Sequence, residues 1–260
     1  MKSAIILLFG STIFTVIDAH WIFDRIVYEK KWTQPFEYVR QVSPKENESP
    51  DVALIFPNTN PDSTDIRCGR NATLGWSKPN TATVKAGDKM GFIVNVESVG
   101  KGRMYHPGFT SAWLSKAPGD DLNSYAGDGD WFKIMSVTGR TEQSANFSDP
   151  AIPHDRAKDM WGTYSSESWN FTIPVTTPPG KYLVRFEHIF PNVYDSQFYV
   201  ACAHVNILNS GSVGTPGPLV KIPGVYKRGQ SDVYFYTYDY YIGGKKIENF
   251  IPPYPPVWQG

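Results

Sequence analysis

The chain has 260 residues with 25 Lys+Arg against 25 Asp+Glu, so its formal net charge is zero. Aromatics make up 15% of it, beside 22 Gly and 21 Pro, a mix that favours short strands joined by long turns over a helical bundle. Neutral charge without a basic cluster disfavours a nucleic-acid partner, and past residue 19 no apolar run approaches the ~20 residues a membrane-spanning helix needs.

In chain order, residues 1–19 (MKSAIILLFGSTIFTVIDA) carry Lys2 near the start, an apolar run over 4–14 and a small final residue, Ala19. This is the pattern of a secretory leader cleaved after Ala19. It predicts a secreted, extracellular product formed by residues 20–260 as one domain, with no membrane partner; a monomer is expected as well. The product would begin at His20. A histidine in first position offers one metal ion both its free α-amine and a ring nitrogen, a chelate no internal histidine can form.

Residues 38–67, 120–130 and 144–161 read as long polar loops. Residues 81–96 (TATVKAGDKMGFIVNV) alternate on both sides of a turn signal at 85–88, which predicts a β-hairpin. Residues 169–189 repeat the scheme around a turn at 176–180, and residues 197–208 form the most apolar strand. With no helical stripe and no internal repeat, the expected fold is all-β: a single immunoglobulin-like antiparallel β-sandwich with long decorated loops. On the last strand Gln197 and Tyr199 share one face, and Phe198, Val200 and Cys202 the other. The apolar, cysteine-bearing face is expected to point into the sandwich, leaving Gln197 and Tyr199 to face a site on the opposite side.

Cys68 and Cys202 are the two cysteines. They fit an oxidising compartment as one disulfide, the alternative being two buried thiols. Acceptor sequons for N-glycans occur at Asn71, Asn146 and Asn170, with a weaker one at Asn47 ahead of Pro50.

His106 stands just before the strand-like run 110–114. The His20 amine, a His20 ring nitrogen and a His106 ring nitrogen would make a T-shaped set with a phenol as a weak axial ligand. Tetragonal nitrogen donors favour Cu(II) over Zn(II), which prefers a tetrahedron. His154 and His204 read as structural. No pair of carboxylates is singled out for a glycosidase, and no phosphate loop, nucleophile elbow or zinc-protease motif is present.

Several motifs in order carry a resemblance: His20 at the cleavage point, FEYVR at 36–40, DIRCG at 65–69, VKAGD at 84–88 and Tyr105-His106. They continue through LSKAPG at 114–119, GDWFKI at 129–134, TPPGKYLVR at 177–185, Gln197-Phe-Tyr199 with Cys202, and IPPYPP at 251–256. The chain resembles fungal lytic polysaccharide monooxygenases of auxiliary activity family 9, formerly glycoside hydrolase family 61. The resemblance implies one copper held by His20 and His106, with Tyr199 axial and Gln197 hydrogen-bonding the oxygen co-substrate. It implies molecular oxygen or hydrogen peroxide, an external electron donor that is an extracellular reductant, and a polysaccharide substrate such as cellulose oxidised at carbon 1 or carbon 4. It also implies a Cys68–Cys202 disulfide. Tyr226, and less directly Tyr38, match tyrosines that stack on a sugar ring.

The chain departs from the family pattern at Asn192, where relatives place a histidine five residues past the Glu of Arg185-x-Glu187. Asn donates a hydrogen bond but cannot exchange a proton near neutral pH, so weakened turnover with copper binding intact is expected. That departure supports a rival reading, a non-catalytic copper- or cell-wall-binding protein. His106 is followed by Pro107-Gly108-Phe109 where relatives read His-x-Gly-Pro, and the run 233–241 (VYFYTYDYY) is unusually aromatic.

Overall fold

The computed structural model describes residues 20–49, 53–73, 77–95 and 102–260. The expected leader, residues 1–19, therefore lies outside the described residues, as does Val96 at the end of the expected first hairpin. The described residues hold nine strands: β1 (Phe23–Tyr28), β2 (Lys31–Trp32), β3 (Ala82–Lys85), β4 (Lys89–Val94), β5 (Phe109–Lys116), β6 (Phe132–Val137), β7 (Ser168–Thr172), β8 (Gly180–Phe190) and β9 (Gln197–Leu208). They form a four-stranded sheet, β2-β1-β4-β7, and a five-stranded sheet, β3-β9-β8-β5-β6. The expected β-sandwich is what forms.

Alternation explains the layering. Ile26 on β1, Met90 and Phe92 on β4, and Trp169 and Phe171 on β7 meet Phe186 on β8 and Tyr199, Ala201 and Val205 on β9 in one core between the sheets. A second apolar layer, including Ile66, Trp113, Trp131, Trp161, Leu183 and Phe198, covers the outer face of the larger sheet under the long loops.

Neither expected hairpin forms. β3 pairs parallel with β9, whereas β4 pairs with β1 and β7 in the other sheet. The turn at 85–88, closed by Lys85 N–H donating to Asp88 Oδ2 at 2.8 Å, therefore crosses between sheets. β7 and β8 are divided in the same way. Period-two alternation marks each strand's buried face but cannot say whether the next strand lies beside it or opposite it.

The faces of β9 are also the reverse of the expectation. Tyr199, Ala201 and Ala203 line the core between the sheets, while Phe198, Val200 and Cys202 point outward beneath the loops. Both faces are apolar because loops bury the outer one. Cys68 and Cys202 form the expected disulfide with Cα atoms 4.8 Å apart. Bridges between Val39 and Ala203 and between Asn58 and Phe198 lay the described parts of the expected 38–67 loop along β9. Arg40 clamps it, donating to His204 Nε2 and to the carbonyls of Ala72, Leu122 and Tyr125.

Candidate metal centre

The inner face of β9 ends in a cluster of rings. His20, His106 and Tyr199 form a nearly equilateral triangle, with centroid separations of 6.0 Å between the histidines, 6.3 Å from His20 to Tyr199 and 6.0 Å from His106 to Tyr199. Three elements distant in sequence supply them: the segment ahead of β1, the loop ahead of β5 and the start of β9. Trp21, next to His20, is 1% exposed and stacks flat on Tyr199, with centroids 3.8 Å apart and planes within 5°. Its burial anchors the chain directly after His20 and so fixes where His20 stands.

On the other side Phe190, the last residue of β8, stacks on His106 at 4.4 Å and 7°. Gly108 makes this approach feasible, since a Cβ there would collide with the Ile189 carbonyl and come within 3.0 Å of His188 Nε2. Neither Trp21 nor Phe190 was singled out by sequence. The signal for Trp21 was its position beside His20; nothing local marked Phe190.

His106 Nε2 is buried with no hydrogen-bond partner. Burial, then the neighbouring His20, His188 and Lys158, push its pKa down to about 3. Burial and then Lys45 also lower that of His20, against a smaller opposing effect of Glu48. Both imidazoles are therefore held neutral, as metal ligation requires. Metal–nitrogen bonds of about 2.0 Å would place two rings on opposite sides of one ion roughly 6 Å apart, which the 6.0 Å separation matches. Burial holds the Tyr199 phenol far above its usual range, so it stays protonated and would be at most a weak donor to a metal. Its hydroxyl donates to Gln197 Oε1 at 2.6 Å. Among the described residues no group of three or more His, Cys, Asp or Glu gathers at one point. The donors present thus fit a tetragonal copper better than a tetrahedral zinc.

Other expected site residues stand elsewhere. Tyr226 is a correction: it is 1% exposed and its hydroxyl donates to Glu187 Oε1 at 2.5 Å. It cannot stack on a sugar, because its ring is enclosed by the fold. Glu187 also accepts from Ser111 and Trp113 and pairs with Arg185, on the β8 face opposite His188 and Phe190. Tyr38 is half-buried, and its carbonyl accepts from His204 N–H at 2.9 Å. His204 is five positions along β9 from Tyr199, roughly 16 Å at strand rise. Tyr38 therefore belongs to the flank. Asn192 sits in the β8–β9 turn, where its Oδ1 accepts from the backbone N–H groups of Tyr194 and Asp195. Tyr194 is 84% exposed, between Phe190 and Gln197 in the chain, and is the outward aromatic that sequence reasoning missed.

His154 pairs with Asp159 on the surface, and His204 accepts from Arg40 at 2.8 Å; both are structural. The run 233–241 is divided: Val233 and Tyr234 are buried, Phe235 and Tyr240 pack with Phe250, and Tyr236 and Tyr241 stay outside. No helix among the described residues is long and apolar enough to cross a membrane.

A β-sandwich in which three distant segments bring two neutral histidines and a phenol together at one end defines a class of sandwich with a candidate metal centre. The chain belongs to Auxiliary Activity family 9 (formerly GH61), which it matches over residues 20–246. It is 35% identical to AA9 family lytic polysaccharide monooxygenase U of Thermothielavioides terrestris over 256 residues, covering 93% of each chain. It is 35% identical over 248 residues to AA9 family lytic polysaccharide monooxygenase A of Aspergillus fumigatus, covering 94% of this chain and 78% of that one. The crystal structure of HiLPMO9B superposes with a TM-score of 0.66 at 23% identity, over 93% of this chain and all of that one, and shows the same fold. Family membership supports copper-dependent oxidative cleavage of a polysaccharide.

Proposed function

We propose that the protein is a secreted copper monooxygenase that cleaves β-1,4-glucan of the cellulose type, oxidising carbon 1, carbon 4 or both. The observation that carries this reading is the triangle of His20, His106 and Tyr199 with His106 Nε2 buried and unpartnered. Leader removal after Ala19 would free the His20 amine, and the support for that step is the sequence pattern of residues 1–19. His20, through amine and ring, and His106, through its ring, would hold the metal, with the Tyr199 phenol beside them. Copper, reduced by an extracellular donor, would supply the activation of molecular oxygen or hydrogen peroxide.

The chain's own groups have separate tasks. Because Gln197 Oε1 already accepts from Tyr199, what its amide has left to offer the co-substrate is its N–H donors. Trp21 and Phe190 hold Tyr199 and His106 in place by stacking. Tyr194 offers an exposed ring to the sugar chain. The test is mass spectrometry of soluble products from cellulose incubated with copper-loaded protein and reductant, together with N-terminal sequencing. Oxidised oligosaccharides from a protein starting at His20 are expected; stoichiometric copper with no oxidised product overturns the enzyme reading.

One observation favours the second reading, a copper- or cell-wall-binding protein with little turnover: Asn192 Oδ1 is committed to its own turn. An Asn192→His variant should raise the peroxide-driven rate by about 10–100-fold, the scale of outer-shell effects at metal sites, with copper affinity unchanged. An unchanged rate shows that Asn192 is not limiting.

A further inference from the structure

The outer face of the four-stranded sheet carries a row of residues that the copper chemistry does not use. Strand register places Asn170 opposite Gly91, Gly91 opposite Val27, and Val27 opposite Trp32. Their strand neighbours Phe171, Met90, Phe92 and Ile26 are in the core, so alternation turns all four of the row outward. Trp32 is 49% exposed at one edge, and Asn170 stands at the other.

Gly91 presents no side chain between them. A Cβ there would lie 2.5 Å from Asn170 Oδ1, so the asparagine lies across β4 towards Val27. Gln143 fixes its backbone, accepting from Asn170 N–H at 3.0 Å and donating to Asn170 O at 3.1 Å. A groove on this face is lined by Val27, Trp32, Glu142, Gln143, Asn170 and Thr172 among others. Asn170-Phe171-Thr172 is an acceptor sequon, with Asn170 and the exposed Thr172 on the same outward face.

We propose that Asn170 carries an N-linked glycan whose first sugars lie along this row and stack on Trp32, covering the outer face of the smaller sheet. The proposal rests on the secretion reading above. In the secretory pathway the Asn170 Nδ2 forms its bond to the anomeric carbon of a polyprenyl-pyrophosphate-linked oligosaccharide. The carbon–oxygen bond to pyrophosphate breaks, and Nδ2 loses one proton. From Asn170 to Trp32 the row spans three strand spacings, roughly 14 Å, which the first few sugars cover. The indole offers a flat apolar face to the C–H side of a pyranose, while Glu142 and Gln143 supply polar groups at the rim. Asn71 and Asn146 stand in exposed loops and serve as internal comparators.

The test expresses the full chain with its own leader in a yeast host. The native protein is digested with an endoglycosidase that cuts between the first two sugars, and release is followed by glycopeptide mass spectrometry. The Asn170 peptide should carry a glycan released about tenfold more slowly from wild type than from Trp32→Ala, a stacking preference of about 1.4 kcal/mol. Trp32→Phe should restore much of the protection, and any glycans at Asn71 or Asn146 should be released equally fast from all three proteins. Equal release at Asn170 from wild type and Trp32→Ala overturns the stacking. A bare Asn170 in protein recovered from the medium overturns this proposal alone. Protein retained in the cells with no sequon modified overturns the secretion reading and this proposal with it.

Discussion

The two faces of β8 and β9 bury polar groups in opposite ways. On the outer face Glu187 accepts from Ser111, Trp113 and Tyr226 and pairs with Arg185 at 2.6 Å. Burial alone would push its carboxyl up, but Arg185 and the hydrogen bonds outweigh that and hold it below the ordinary range. On the inner face His106 Nε2 has no protein partner, and burial pushes the ring down to about 3. A buried polar atom left unpaired costs about 1–3 kcal/mol. A fold that keeps one beside two further donor rings holds a place for a ligand, whereas a satisfied network is scaffold. The Glu187 network is fully buried and the rings of His20 and His106 only partly so; what marks the second as a site is the unsatisfied nitrogen.

That contrast can be broken by mutation, and the largest effect belongs to the scaffold. Glu187→Ala strands the Arg185 charge in the interior and should cost about 3–5 kcal/mol of stability, read by denaturant unfolding. Whatever fraction folds should bind copper with wild-type affinity; a folded variant that has lost copper would dissolve the distinction between the faces. His106→Ala should do the reverse. It removes a donor atom, so copper affinity by titration calorimetry should fall by at least about a hundredfold, beyond the 10–100-fold typical of outer-shell changes, while the metal-free melting temperature drops little.

Acid sharpens the comparison next. Burial pushes both His188 and His204 down to about 3, with Arg40 adding to the effect on His204. The unfolded chain takes up a proton at each as pH falls below the ordinary value of about 6.5, and the folded chain does not. The unfolded state therefore binds more protons across that window, and stability declines as pH drops through it. The melting temperature of copper-free protein should fall from about pH 6.5 to about pH 5, above the carboxylate range; a flat profile would contradict neutral burial of these rings. The smallest effect distinguishes two tyrosines. Tyr194→Ala should weaken binding to cellulose about fivefold, the loss of roughly 1 kcal/mol of aromatic contact, without altering stability. Tyr226→Phe should leave cellulose binding unchanged and cost about 1–2 kcal/mol of stability from the Glu187 hydrogen bond.

Much of this was legible in the residues. Period-two alternation marked the strands near 81–96, 169–189 and 197–208, and β9 runs over Gln197–Leu208 as read. Motif order identifies the family from His20 onward, and the motifs at 105–106 and 197–199 single out His106 and Tyr199. The disulfide followed from two cysteines in a chain whose residues 1–19 read as a secretory leader. These features are local or compositional, so the linear sequence contains them.

Tertiary structure decided what depends on the partner across a gap. Whether the turns at 85–88 and 176–180 close a hairpin or cross between sheets is set by which surface each strand covers. The face of β9 that meets the opposite sheet, and the burial of Tyr226 against a carboxylate 39 residues away, depend equally on loops that bury an outer sheet face. Trp21 on Tyr199 and Phe190 on His106 are contacts between distant segments that leave no local pattern. Sequence determined which chemical groups the protein has, because residue type fixes donors, charge and period. Only the packed chain determined which of those groups are satisfied, because satisfaction belongs to pairs of residues brought together by folding.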